Sequence, residues 1–252
     1  MGTSKIGFGV GQAARAAGLA AVGAAVAFGL GTGMAHASPA TQVHASALKP
    51  VTMYGDPTAA ATYWRKQSLD DCALMAAADV IGQLTGHEPT ESEIIAVAQR
   101  LPSQAHRGPI YTLPSDLNDP NRTGHGTDPS DLPVLFAQYG ITAAYSTPGD
   151  SDSPSANGAG SGIDALEHYL AAGRMVIVGV NAELIWGEPV EVKDRAGDPM
   201  ADHAVVVTGI DVANRTVHLN DSGTREGRDE VVPIELFAKS WATGGNEMTV
   251  TE

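Results

Sequence analysis

Residues 67–86 read QSLDDCALMAAADVIGQLTG, and this stretch contains the single cysteine of the 252-residue chain. The residues after Cys72 have the composition of a tightly packed helix, which Gly86 is predicted to end. Asp70 or Asp71 can serve as the N-cap, whose side chain accepts hydrogen bonds from the unpaired amides of the first turn. Cys72 is therefore expected in that turn, where the helix dipole favours a thiolate, although the neighbouring carboxylates oppose this effect unless they are engaged in capping.

The first 37 residues have the pattern of a bacterial export signal. Lys5 and Arg15 are their only charged residues, residues 16–34 are mostly small or apolar, and residues 35–37 read AHA, a small-x-small cleavage pattern. We expect residues 1–37 to be a signal peptide and the remaining 215 residues to be secreted, with no membrane association after cleavage. That length is compatible with one domain.

The charge of the exported part limits its partners. Without Lys5 and Arg15, 13 basic residues stand against 29 acidic residues, which gives a formal charge of −16. Nucleic acid and anionic membranes bind basic surfaces, so neither is an expected partner. The histidines show no H-x-x-x-H spacing and no cysteine pair exists, so no metal site and no cofactor are predicted.

An unpaired cysteine in a secreted protein has two interpretations. Secreted domains usually use cysteines in pairs, so a cysteine left over indicates an intermolecular disulfide or a reactive thiol. Alternatively, Cys72 is a small apolar side chain of the core. The two interpretations differ in whether the rest of the chain supplies a base, because a catalytic thiolate needs one.

His203 is the favoured base among the eight histidines, because it opens the β-branched run HAVVVTGID, which predicts a buried strand. A side chain on a rigid strand is held in a defined position. His87 and His168 are not excluded by spacing.

The segment after this strand predicts an antiparallel hairpin. Asn214 is suited to the turn, and VHLND predicts a second strand that ends at Asn220 and Asp221. Such a hairpin returns the end of the second strand to the start of the first, beside His203. Because side chains alternate along a strand, only one of Asn220 and Asp221 can contact the imidazole.

The order and spacing of these pieces resemble the C39-like group of papain-fold cysteine peptidases. The pieces are a glutamine five positions before the cysteine, then H-x-V-V-x-x-G-I-D, V-x-L-N-D and VPIELFAKSWATGGN. The resemblance implies Cys72 as nucleophile, His203 as general base, Asp221 as the residue that orients the imidazole, and Gln67 as the side-chain oxyanion donor. It implies an N-terminal extension at residues 38–62 and a C39-like peptidase domain at residues 63–252.

The chain departs from the family pattern at two places. Many members have glycine after the cysteine and proline after the last aspartate, whereas Ala73 and Ser222 stand at these positions here. The glycine and the proline of the family pattern take no direct part in the reaction, so neither substitution removes a reacting group.

The remaining pattern predicts an α+β fold, with the helix that carries Cys72 packed against an antiparallel sheet that carries His203. Thr90-x-x-Glu93 is a capping box for a helix through Arg100. Further elements are predicted as helices at 132–139 and 163–172 and as strands at 141–145, 175–180, 204–210, 217–220 and 248–251.

These features together predict a secreted bacterial cysteine peptidase or amidase that cleaves a peptide or amide bond through a thioester. A catalytically silent binding module and a related acyl transferase are the alternatives. A peptide or protein is the expected partner, but the sequence does not identify it, and the oligomeric state is not predicted.

Overall fold

The computed structural model describes residues 52–116, 126–147 and 162–252. The predicted signal peptide and residues 38–51 of the predicted extension lie outside the described residues. Within the described part of the chain, no helix is both long enough and apolar enough to cross a membrane.

The helices and strands of the described residues alternate in an α+β arrangement. The helices are α1 (Pro57–Ala60), α2 (Cys72–Thr85), α3 (Glu91–Ala98), α4 (Leu132–Ala137), α5 (Ile163–Ala171), α6 (Ala182–Trp186) and α7 (Ile234–Ala242). The strands are β1 (Met53–Gly55), β2 (Ala143–Ser146), β3 (Val176–Val180), β4 (His203–Asp211), β5 (Thr216–Asn220), β6 (Glu230–Pro233) and β7 (Met248–Thr251).

Helix α2 begins at Cys72 and ends where the sequence predicts. Gly86 adopts a left-handed conformation, with φ of 74°, and its N–H donates to the Gly82 carbonyl. Ten of its residues are buried, so α2 is a central helix rather than a surface helix. The capping box of α3 is also present, since Thr90 and Glu93 bond each other's backbone N–H groups.

The sheet is antiparallel throughout, and its strand order is β2-β7-β3-β4-β5-β6. Strand β1 also pairs with β4, with Met53 opposite Asp211 and Gly55 opposite Gly209. The predicted N-terminal extension therefore contributes a strand to the sheet. β3 and β1 pair with successive parts of β4, so β4 lies at the centre of the fold.

One extra residue interrupts the pairing of β4 with β5. Gly209 faces His218 and Val207 faces Leu219, so Thr208 is a β-bulge. The chain of β1 approaches closely at this point. A Cβ atom on Gly55 would lie 2.3 Å from the Thr208 carbonyl oxygen, and Gly55 has a φ of 79°, so glycine is needed there.

Each face of the sheet is covered by its own hydrophobic core. On one face α2, α3 and α4 pack against Ile177, Ala204 and Val206. On the other face α5, α6 and α7 pack against the alternate strand residues, including Val178, Val205 and Leu219. This confirms the predicted α+β class and the packing of α2 on the strand that His203 begins.

Most predicted elements are present, with ends that differ by one or two residues. The helix predicted to run to Arg100 ends at Ala98, and the helix predicted at 132–139 ends at Ala137. Strands β1 and β6 and helices α1, α6 and α7 were not predicted as elements. With the exception of α7, these have five residues or fewer, too short for a periodic pattern.

Candidate active site

Cys72 is the first residue of α2, and its neighbour Asp71 occupies the N-cap position. The expectation that an aspartate side chain caps this helix is wrong, because the N-cap side chain makes no capping hydrogen bond. Asp71 is instead 1 % exposed, and neither of its carboxylate oxygens has a hydrogen-bond donor among the described residues. Burial, followed by the negative charge of nearby Glu91, raises the pKa of Asp71 to about 7.

His203 and Cys72 line the same cavity, and the His203 ring is also bound by Asp221. The His203 Nε2 atom lies 2.7 Å from Asp221 Oδ1, and both side chains are buried. An ionised carboxylate only accepts hydrogen bonds, so Nε2 carries the hydrogen of this bond. Nδ1 is then the ring nitrogen that can take a proton from the thiol.

The electrostatics of this group favour a charged imidazole. Burial lowers the pKa of His203, but the negative charge of a Cys72 thiolate and the hydrogen bond to Asp221 outweigh it and raise the pKa well above 6.5. Burial acts to raise the pKa of Asp221, yet the hydrogen bond from His203 and the charge on its ring bring it below 3.8. The pair therefore holds an imidazolium beside a carboxylate.

Three further groups hold Asp221 in place. Trp186 Nε1 donates to Asp221 Oδ2 at 2.9 Å, and the Gly223 N–H donates to Oδ1 at 2.6 Å. Trp64 Nε1 donates to the Asp221 backbone carbonyl at 2.6 Å. The Trp186 ring also packs against the His203 ring, with 5.5 Å between centroids. Sequence reasoning missed both tryptophans, because nothing in their local sequence indicates contacts with residues so distant in the chain.

Gln67 is anchored beside Asp221 through Ser222. The Gln67 N–H donates to the Ser222 carbonyl at 2.9 Å, and Ser222 Oγ donates to Gln67 Oε1 at 2.7 Å. Gln67 Nε2 donates one hydrogen to the Leu69 carbonyl at 2.9 Å, which leaves its second hydrogen for another acceptor. Ser222, which departs from the family pattern, thus orients the amide of Gln67.

Asn220 points away from His203, as alternation along the strand requires. Its Nδ2 donates to Asp79 Oδ2 of α2 at 2.7 Å and to the Ala60 carbonyl at 3.0 Å. Of the two residues left open by the sequence, Asp221 is therefore the one that contacts the imidazole. Asn220 fastens β5 to the helix that carries Cys72.

The other described histidines are placed elsewhere. His87 and His168 are exposed, and neither lines the cavity beside Cys72. His218 forms a second histidine–carboxylate pair, with Nδ1 2.7 Å from Asp229 Oδ1, but it too lies outside that cavity.

The cavity beside Cys72 and His203 has a volume of about 190 Å³. Three carboxylates line it, those of Asp70, Asp202 and Glu247, and no lysine or arginine of the described residues does. Burial raises the pKa of each of the three. No group of three or more candidate metal ligands occurs within residues 52–116, 126–147 and 162–252.

Comparison with known proteins identifies relatives over most of the chain. The family described as Peptidase_C39 like matches residues 64–248. Two uncharacterized proteins, Rv1268c of Mycobacterium tuberculosis strain H37Rv and Mb1299c of Mycobacterium bovis, are each 57% identical over 200 residues. The alignments cover 79% of this chain and 84% of each relative.

A solved structure shares the fold. A Bacillus anthracis protein, crystallised under the description of a C39-like peptidase, superposes with a TM-score of 0.51 at 18% identity. The match covers 79% of this chain and 97% of that protein. The likeness supports the papain-like α+β architecture that the resemblance implied.

Proposed function

Because this chain belongs to the Peptidase_C39-like family, we propose that it is an exported cysteine peptidase that hydrolyses a peptide or amide bond. Cys72 would act as nucleophile, His203 as general base and Asp221 as the residue that orients the imidazole. The observation that carries the proposal is the position of the His203 ring, which lines the same cavity as Cys72 and is bound by Asp221 at 2.7 Å.

The first half of the proposed reaction forms a thioester. His203 Nδ1 takes the Cys72 proton, and the thiolate attacks the carbonyl carbon of the substrate. A carbon–sulfur bond forms, and the carbonyl oxygen becomes an oxyanion. The Cys72 backbone N–H and the free Nε2 hydrogen of Gln67 are the proposed donors to this oxygen. When the intermediate collapses, the carbon–nitrogen bond breaks and the imidazolium of His203 gives its proton to the leaving amine.

The second half releases the acid. His203, neutral again, removes a proton from a water molecule that attacks the thioester, and the carbon–sulfur bond breaks. The proton returns to the thiolate, so the enzyme is regenerated. Asp221 accepts the Nε2 hydrogen throughout and stabilises the imidazolium that forms twice in the cycle.

The export signal predicted at residues 1–37 supports a site of action outside the cytoplasm. The substrate class that the family implies is a peptide. The carboxylates around the cavity favour neutral or basic residues next to the scissile bond, because an acidic side chain would be repelled there.

The first test needs no substrate. The rate of Cys72 alkylation by iodoacetamide is measured from pH 4 to pH 10 in the purified protein and in a His203→Ala variant. A thiolate–imidazolium pair keeps the rate high well below the ordinary thiol pKa of about 8.5, and loss of the imidazole abolishes this reactivity. Because Cys72 is the single cysteine, the rate reports this thiol alone.

His218→Ala is the matched control, since His218 forms a histidine–carboxylate pair of the same 2.7 Å length outside the cavity. This control should alkylate as the unaltered protein does. An ordinary thiol titration that His203→Ala does not change would contradict the proposed function. Hydrolysis is then sought with fluorogenic peptides, for which Cys72→Ala is the inactive reference.

A further inference from the structure

Glu230 is an acidic residue beside the proposed catalytic pair, and the mechanism above does not use it. It begins β6, and it pairs with Leu219 of β5. Side chains of paired residues project from the same face of a sheet, as do side chains two positions apart on one strand. Glu230 therefore shares a face with Asp221, and the two carboxyl groups lie within hydrogen-bonding range of each other.

The contacts of this acid pair indicate which of its members carries a proton. Glu230 Oε2 is buried, and no N–H or hydroxyl group of the described residues donates to it. Asp221, in contrast, accepts from His203, Trp186 and Gly223. Two carboxyl groups in contact can share a hydrogen bond only when one is protonated. Burial, followed by the charge of Asp221, raises the pKa of Glu230 to about 7, whereas the pKa of Asp221 is lowered. The proton therefore resides on Glu230.

We propose that Glu230 is a positioning residue that acts on His203 through Asp221, an inference that rests on the proposed function. In its protonated form Glu230 donates a hydrogen bond to Asp221 and holds this carboxylate toward the imidazole. When Glu230 releases its proton to solvent, its negative charge stabilises the imidazolium form of His203. His203 then stays protonated to a higher pH than Asp221 alone would allow, so the thiolate–imidazolium pair persists further into the alkaline range.

No other charged group near Glu230 is placed to stabilise the His203 imidazolium through Asp221 in the same way. The charged groups that act on Glu230 are Asp221 and His203. Asp229, the preceding residue, is bound to His218, and Glu235 of α7 is bound to Arg215.

On the His203 side, the acting charges are those of Cys72 and Asp221, together with two carboxylates of the cavity, Asp70 and Asp202. Neither of these two bonds Asp221, so Glu230 is distinguished by its contact with that carboxylate.

The test is an NMR titration of the histidine ring protons from pH 5 to pH 10 in the full chain and in a Glu230→Gln variant. Glutamine keeps the size and the donor of the protonated acid but cannot ionise. The His203 signal is assigned by its absence in His203→Ala. The titration midpoint of His203 should fall by about 0.5 to 1 pH unit in Glu230→Gln, which corresponds to removal of one partly screened charge.

Asp229→Asn is the matched control, since it removes a carboxylate from the adjacent residue. It should leave the midpoint of His203 unchanged. A purely structural role for Glu230 would not produce this selective shift. If Glu230→Gln does not fold, Glu230→Leu removes the same charge and is measured in its place.

An unchanged His203 midpoint in a folded Glu230 variant would overturn the inference. This outcome is separate from failure of the proposed function, which the alkylation of Cys72 decides. If Cys72 alkylates as an ordinary thiol but the His203 midpoint shifts in Glu230→Gln, the proposed peptidase function is refuted and the effect of Glu230 on His203 is retained. A reactive thiol with an unshifted midpoint would refute only the role of Glu230.

Discussion

Replacement of Asp71 by asparagine should stabilise the protein at neutral and alkaline pH. Asp71 is 1 % exposed and has no hydrogen-bond donor among the described residues, so its ionised form is poorly solvated. Glu91 lies nearby, and its carboxylate is held by hydrogen bonds from the Ser68 and Leu69 N–H groups. Its negative charge repels an ionised Asp71 and further disfavours the charged form of that residue. Asparagine has nearly the same shape but no charge.

The magnitude follows from the two pKa values of Asp71. The pKa of an aspartate in the unfolded chain is 3.8, and that of Asp71 in the folded protein is about 7. The folded state therefore binds the proton more tightly, and its stability is lost as the pH rises from 3.8 through 7. The difference between these two pKa values, about 3, corresponds to a ceiling of about 4 kcal/mol above pH 8. Local relaxation and entry of water reduce such penalties, so we expect about 2 kcal/mol.

Urea unfolding at pH 4, 6 and 8 measures the effect, with Asp70→Asn as control. The free energy of unfolding of Asp71→Asn should exceed that of the unaltered protein by about 2 kcal/mol at pH 8 and equal it at pH 4. Burial also raises the pKa of Asp70, but its side chain is exposed enough for solvent to screen its charge, so Asp70→Asn should have a smaller effect, within about 0.5 kcal/mol. A variant that is equally or less stable at pH 8, or whose gain does not grow with pH, would refute the reasoning.

Three other substitutions follow from the site. Trp186→Phe keeps a ring beside His203 but removes the N–H donated to Asp221, so we expect alkylation of Cys72 at pH 6 to slow about tenfold, with a loss of stability of about 1 to 2 kcal/mol because buried Asp221 loses a donor. Asn220→Ala leaves buried Asp79 without one of its donors, and urea unfolding at pH 8 should show a loss of about 2 kcal/mol. Gln67→Ala should lower kcat on a cleaved peptide about 100-fold with little change in KM, because an oxyanion donor acts mainly in the transition state. An unaltered kcat would remove Gln67 from the mechanism.

The parts of the fold that could be predicted are those set by local sequence. The sequence of helix α2 has a helical composition and ends at a glycine, Gly86, that marks the end of the helix. The capping box of α3 is formed by residues only three positions apart, Thr90 and Glu93. Strands β4 and β5 are long enough to show β-branched runs with a turn between them. Each of these signals depends on neighbours in the chain, so a single sequence contains it.

The parts that could not be predicted depend on distant contacts. Helix α6 has an asparagine N-cap and Gly187 at its end, but its five residues are too few for a periodic pattern. Its Trp186 gains a role only because β5 brings Asp221 to it. The sequence allows Asp70 or Asp71 to cap α2, but the Asp71 side chain makes no capping hydrogen bond and lies buried near Glu91 of α3, a contact between two helices that local sequence does not indicate.

The bulge at Thr208 determines which residue of β5 serves the imidazole. With the bulge, Asn220 faces Val206, so Asp221 lies on the face shared by Val205 and His203. If Thr208 were instead paired in turn, it would face Leu219 and Val207 would face Asn220, so Asn220 would lie on the His203 face in place of Asp221. In a β4 strand of this length, the bulge thus selects aspartate rather than asparagine as the third member of the site, although the two residues are neighbours in the sequence of the other strand.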